Sequence, residues 1–212
     1  HMPTGAAGST EIFQDILQKA LKYHFLVVND NPYSQVLPKG RPVSFLQLEG
    51  AKEVVIELNS LSKSHNLAGA RVGMVVGDAA YINQILKVKS NVDSGMYLPV
   101  QEAAIAALKL PDEWHAERNQ VYASRLELAQ AIMDALGCTY SKDQVGMFLW
   151  ARIPEKFSNV EDLTEKVLHE ANVFLTPGFI FGTKGQRFVR ISLCCNKEML
   201  EQALQRIKSL EL

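Results

Sequence analysis

The sequence predicts an α/β fold. Helices flank a mostly parallel sheet over residues 1–136, and a smaller α+β domain follows over residues 137–212. Three observations predict it. Stretches with apolar residues at helical spacing alternate with short runs that are apolar throughout, the pattern of strands buried between helices. After Gly137 the texture changes to short strands around a Gly/Pro-rich loop. The 212 residues, 47% hydrophobic and 21% charged, suffice to bury a substantial core.

The elements read in order. Thr10 is placed to cap a helix from about Glu11 to Tyr23, with Ile12, Ile16, Leu17 and Ala20 on one face. "HFLVVND" reads as a fully buried strand, "EVVIELNS" as a second, and "RVGMVVG" as a third closed by Gly77. Asp78 starts a helix carrying Ile82, Ile85, Leu86 and Val88. "LPVQEAAIAALKL" is a helix with Pro99 in its first turn, and a long helix runs from about Asp112 to Leu136, stopped by Gly137. Beyond it, "VGMFLWARI" is a strand and "NVEDLTEKVLHEANV" a helix capped by Asn159. "FLTPGFIFG" and "RFVRISLCC" are short strands, and "NKEMLEQALQRIKSL" is a final amphipathic helix.

A net charge of −1 offers nothing for nucleic acid or an anionic membrane. No apolar run reaches membrane-spanning length, and the first residues do not read as a signal peptide. The three cysteines, Cys138, Cys194 and Cys195, form no CxxC pair, so a disulfide framework or zinc site is not expected and a reducing cytoplasm fits.

In an open α/β sheet, ligands sit outside the carboxyl ends of the strands. Asp30 and Tyr33, in "NDNPY", follow the first strand; Ser60, Ser62 and Lys63 follow the second. Singly, each has an ordinary reading: Asp30 starts a turn, Tyr33 packs at a rim, Lys63 is a surface lysine and Arg71 an ion-pair partner. Together they outline a site. An amine is a weak nucleophile until desolvation or a neighbouring cation activates it, and Arg71 is such a cation and a natural phosphate partner. Ser60 and Ser62 add hydroxyls suited to phosphate oxygens, while Ala68 and Gly69 allow close backbone approach. A lysine able to form an imine beside a phosphate site points to pyridoxal phosphate, whose ring nitrogen needs a carboxylate that Asp30 can supply.

The segment "NSLSKSHNLAGARVG" closely resembles the cofactor-lysine segment of class I/II pyridoxal-phosphate aminotransferases, of the aspartate aminotransferase fold type (fold type I). The family pattern, roughly S-x-S-K, spacer, G-x-R-x-G, is matched by Ser60, Ser62, Lys63, Gly69, Arg71 and Gly73. "NDNPY", "GMFLW", "TPGFIFG" and "FVRISL" resemble further landmarks, so the likeness runs through the whole chain in order. It implies that Lys63 carries the cofactor and shuttles the substrate α-proton. Asp30 would pair with the pyridinium nitrogen, and Tyr33 would hydrogen-bond the phenolic oxygen. Ser60 and Arg71 would bind phosphate, with a share for Ser62 left open. Arg190 would clamp the substrate α-carboxylate, its ordinary reading being an exposed strand arginine.

The resemblance further implies amino-acid and 2-oxo-acid substrates and a homodimer. Members of the family run close to twice this length. "PTGA" at residues 3–6 resembles the tail of the family's N-P-T-G segment, with Met2 in place of its asparagine and His1-Met2 reading as a cloning remnant. The chain is therefore expected to be a C-terminal fragment. Residues 1–136 would be the C-terminal part of the large cofactor domain and 137–212 the small domain. The glycine-rich phosphate loop and the aromatic that stacks on the ring would be absent. Transamination is expected of the parent and inactivity of the fragment. A lyase or decarboxylase of the same fold, or a non-catalytic fragment, is the alternative.

Overall fold

The computed structural model describes residues 1–36 and 43–210. They form two compact units, Gly8–Ala116 and Glu117–Leu212 joined by His1–Ala7.

The first unit opens with α1 (Thr10–Tyr23). Its cap is Ser9 and not Thr10: the Ser9 hydroxyl accepts from the Ile12 amide, and Thr10 is already helical. α1 packs Leu17 against Phe45, Ala51 and Val55, with Phe13 stacked on Phe45 at 4.6 Å. Three strands form one sheet in the order β1 (Val27–Asp30), β2 (Val55–Ser60), β3 (Gly73–Val76). β1 pairs with β2 in parallel, placing Val27 beside Val55 and Asp30 beside Leu58. β2 pairs with β3 antiparallel, Ser60 beside Gly73.

The expected mostly parallel sheet, covered on both faces, is thereby corrected to a mixed one. A parallel return needs a crossover of a dozen or more residues that traverses the sheet. Residues 61–72 instead double back at the end of β2, where the Leu61 amide donates to the Val72 carbonyl. β1 is correspondingly short and not fully buried: Phe25, Leu26 and Val28 are exposed, as are Met74 and Val76 of β3. Among the described residues β1 and β3 are the edge strands of this sheet.

Helices follow the strands of this unit. α2 (Leu61–Ser64) is a single turn, α3 (Ala79–Val92) is capped by the Asp78 carboxylate on the Ala80 amide, and α4 (Leu98–Leu108) carries Pro99 in its first turn. Ala104 and Val100 of α4 pack on Leu61, Leu67, Ala70 and Val72. That apolar contact anchors the segment between β2 and β3.

α5 (Asp112–Ala135) begins in the first unit and continues into the second, stopping before Gly137 in the left-handed region at φ 70°. The second unit holds an antiparallel sheet ordered β4 (Phe148–Arg152), β6 (Phe188–Ser192), β5 (Thr176–Pro177). Leu149, Ala151, Val189 and Ile191 point to its buried face; Phe148, Trp150, Arg152, Phe188 and Arg190 share the other. α6 (Val160–Ala171), capped by Asn159 on the Asp162 amide, packs on β5, β6 and α7 (Lys197–Lys208). The buried Gln144 side chain both donates to the Trp150 carbonyl and accepts from its amide at 2.7 Å, so it serves β4 as a substitute strand edge. The N-terminal turn joins this unit through the Val145 amide donating to the Gly5 carbonyl.

"FLTPGFIFG" is mostly not strand. Two residues pair as β5, and Gly178–Phe181 form a 3₁₀ turn. Gly178 and Gly185 cross so closely that a methyl on Gly185 would overlap the Gly178 carbonyl. Gly185→Ala should therefore cost roughly 2–3 kcal/mol, as overpacking does, and lower the thermal midpoint. Gly69→Ala, with nothing within 4 Å of the added methyl, should leave it unchanged. Equal midpoints for the two variants would show the crossing to be slack. Burial also pushes the Cys138 thiol up to about 12, whereas Cys194 is exposed. Iodoacetamide at mildly alkaline pH should alkylate Cys194 in the native protein and reach Cys138 only after denaturation, as peptide mass mapping would report.

Candidate active site

Asp30 is the last residue of β1 and is exposed. The parallel ladder extends one step past it, the Asn31 amide donating to the Leu58 carbonyl at 2.9 Å. Tyr33 follows in the turn Pro32–Gln35 and is half-buried. That turn is tied to the end of β2 by Asn59, whose amide donates to the Ser34 hydroxyl at 3.1 Å. The Asn59 side-chain oxygen, Oδ1, also accepts from the Ser60 amide at 2.7 Å. The carboxyl ends of β1 and β2 are thus joined by side chains as well as by the ladder.

Ser60 leads into α2, which bears Lys63. The Ser60 hydroxyl accepts from the Ser62 amide at 3.1 Å and donates to the Val72 carbonyl at 3.3 Å. Lys63 is half-buried in the one turn of α2. Arg71 takes the left-handed backbone conformation, φ 55° and ψ 47°, which sends its side chain back over the turn. Its guanidinium donates to the Ala68 carbonyl at 3.0 Å and stands 3.5 Å from the Ser62 hydroxyl. The hydroxyl that the fold sets beside Arg71 is therefore that of Ser62. Close backbone approach occurs at Gly73, where a methyl would lie 2.8 Å from the Asn59 carbonyl oxygen, and not at Gly69, which faces open space.

Arg190 lies in the second unit, mid-strand in β6, opposite Trp150 and Thr176. It is half-buried. Its guanidinium carbon sits 4.0 Å from the Phe148 ring centroid and 4.2 Å from that of Phe181. Aromatic faces attract such a cation through the ring quadrupole. Trp150 continues the aromatic surface, stacked on Phe188 at 5.2 Å and edge-on to Phe181.

Sequence reasoning missed the supporting residues. Asn59 and Ser34 are polar residues at strand ends whose pairing appears only once the two ends adjoin. Glu57, mid-strand in β2, gathers the Asn29 amide, the Ser44 hydroxyl and the Phe45 backbone amide at 2.6–2.7 Å. A carboxylate inside an apolar strand was the available signal.

The donor set suits pyridoxal phosphate group by group. A primary amine, a carboxylate and a phenol lie at adjoining strand ends, and a guanidinium and a hydroxyl stand side by side as an anion site. Among the described residues no group of acidic, histidine or cysteine side chains has the arrangement of a metal site, and no helix is long and apolar enough to cross a membrane.

Comparison with known proteins gives the family. The family model "Aminotransferase class I and II" matches residues 1–207. The LL-diaminopimelate aminotransferase of Oleidesulfovibrio alaskensis is 39% identical over 210 residues, 98% of this chain and 54% of that protein. The enzyme of the same name from Moorella thermoacetica is 38% identical, over 97% of this chain and 53% of its own length. Among solved structures, BacF from Bacillus subtilis superposes with a TM-score of 0.91 at 32% identity, covering 100% of this chain and 54% of BacF. A probable N-succinyldiaminopimelate aminotransferase from Thermus thermophilus does so with 0.88 at 35% identity, covering 98% and 56%. The chain spans about half the length of the curated relatives it matches. It belongs to the class I and II aminotransferase family.

Proposed function

We propose that these residues serve the transfer of an amino group between an amino acid and a 2-oxo acid, with pyridoxal phosphate attached at Lys63. The activity belongs to a chain of the relatives' length, as a homodimer in a reducing cytoplasm; the 212 residues alone are inactive. The functional division falls at Gly137, with cofactor contacts before it and the carboxylate clamp after it. The observation that supports this best is the tie between Asn59 and Ser34. It joins the Asp30–Tyr33 end of β1 to the Ser60–Lys63 end of β2. Three unpaired cysteines support the reducing compartment.

When bound, pyridoxal phosphate supplies an aldehyde that captures the amino group and a ring that accepts the electron pair left at the α-carbon. Lys63 Nζ holds the cofactor between turnovers and then moves the proton taken from the substrate α-carbon. The Asp30 carboxylate keeps a proton on the ring nitrogen. The Tyr33 hydroxyl donates to the phenolic oxygen. Ser60 and Arg71 bind the phosphate, with Ser62, which stands beside Arg71, as a further hydroxyl. Arg190 orients the substrate through its α-carboxylate, a role its forked donors suit. The donor leaves as a 2-oxo acid and its nitrogen passes to the acceptor. LL-diaminopimelate is the first donor to assay, because the curated relatives above carry that name.

Incubating the protein with excess pyridoxal phosphate, then reducing with borohydride and mapping peptides by mass, should place the label on Lys63. Lys63→Ala should lose it. A label spread over surface lysines, unchanged in that variant, would sink the assignment. In a chain of the relatives' length, Asp30→Asn should slow exchange of the substrate α-deuteron by roughly 10²–10³-fold, the scale of one lost electrostatic contact in a water-excluded site. An unaltered exchange rate would reduce Asp30 to a turn residue.

A further inference from the structure

Lys63 sits on a helix of one turn, and an isolated turn is unstable in water. Something beyond helical hydrogen bonding must hold it. Its start is held by Ser60, whose hydroxyl accepts from the Ser62 amide, and by the Leu61 amide on the Val72 carbonyl. Its end is held by Ser64 and His65, which are buried, at 2% and 7% exposure, immediately after the lysine.

The Ser64 hydroxyl donates to the Ser60 carbonyl at 2.9 Å and lies 2.8 Å from His65 Nδ1. A carbonyl only accepts, so the one Ser64 proton is committed to Ser60. His65 Nδ1 must then carry a proton and donate to Ser64. The two bonds run in one direction, from imidazole to hydroxyl to the carbonyl that begins the turn. The His65 ring is fixed in turn by Trp114, stacked at 6.1 Å with 13° between planes, and by His115, edge-on at 5.0 Å. The His65 backbone amide closes the helix on the Leu61 carbonyl at 3.1 Å.

We propose that Ser64 and His65 are positioning residues for Lys63. The Nδ1–hydroxyl–carbonyl relay locks the single turn of α2, and so fixes the direction in which the lysine side chain leaves the backbone. Neither side chain needs to touch cofactor or substrate. The inference rests on the reading of Lys63 as the attachment point. It adds that the amine's placement depends on a specific proton arrangement, and not on burial alone. A lysine has four rotatable side-chain bonds, so a drift of its Cα–Cβ direction is magnified at Nζ. Misplacement of a reacting group by about 1 Å costs up to 10²-fold in rate.

The test uses the whole chain, excess pyridoxal phosphate and borohydride, and scores the rate of labelling at Lys63 relative to the other lysines. His65→Asn keeps an amide N–H where Nδ1 lies, whereas His65→Gln moves it to the Nε2 position. Ser64→Ala removes the relay atom. Ser64→Ala and His65→Gln should lower the Lys63 selectivity about tenfold or more, with far-UV circular dichroism retained, while His65→Asn keeps the wild-type value. If Ser64→Ala does not fold, the contrast between Asn and Gln at position 65 decides the matter. Equal selectivity in all variants, or equal loss with Asn and Gln, would overturn the relay. Absence of Lys63 selectivity in the unchanged protein would overturn instead the attachment reading beneath it.

Discussion

The Val72 carbonyl closes the segment on which the site depends. It accepts from the Leu61 amide at 3.1 Å and from the Ser60 hydroxyl at 3.3 Å, joining the end of β2 to the residue before β3. Without that closure residues 61–72 would be an open loop, and the lysine would ride on it. With it, the segment becomes a compact bridge: one helical turn, a left-handed Arg71 and an antiparallel return. Leu61, Leu67, Ala70 and Val72 give the bridge an apolar underside on α4. The hydrogen bonds set the path of the backbone, and burial against α4 keeps water from competing for them.

Two kinds of strand pairing then share the work. The parallel pair β1–β2 brings both carboxyl ends, with Asp30 at one and the Ser60–Lys63 segment following the other, to the same side of the sheet. The antiparallel pair β2–β3 returns the chain at that edge, so Arg71 lies beside the start of the turn it follows. A purely parallel sheet would have carried the chain away to the opposite edge. The departure from the expected sheet is thus what sets the guanidinium beside Ser62.

Much of this was legible in the residues because the signals were local. Asp78, Asn159, Pro99 and Gly137 mark helix ends through chemistry confined to one turn, and the helices begin and stop at them. Ser9 shows the limit of that reading: Ser-Thr offers two caps one residue apart, and only the backbone angles choose. Strands were less legible because their extent depends on partners distant in sequence. "HFLVVND" is apolar enough for a longer strand, but only Val27–Asp30 meet β2. "FLTPGFIFG" yields two paired residues because the crossing of Gly178 and Gly185 bends the chain out of the sheet. The same distinction separates Ser60 from Ser62. Their spacing identifies both as hydroxyls near the lysine, but Ser60 turns to the Val72 carbonyl and Ser62 lies beside the Arg71 guanidinium, which no local pattern encodes.

Arg190 shows how strand pairing and a neighbouring turn together hold a cation among aromatic rings. Cross-strand pairing sets Arg190 opposite Trp150 and diagonal to Phe148, all on one face of the sheet. The 3₁₀ turn Gly178–Phe181 brings Phe181 to the same guanidinium. Ring faces restrain the cation through electrostatics and dispersion. Phe148 and Phe181 around the guanidinium, with Trp150 and Phe188 beyond them, gather four large rings on the face of a small sheet whose other face supplies the core.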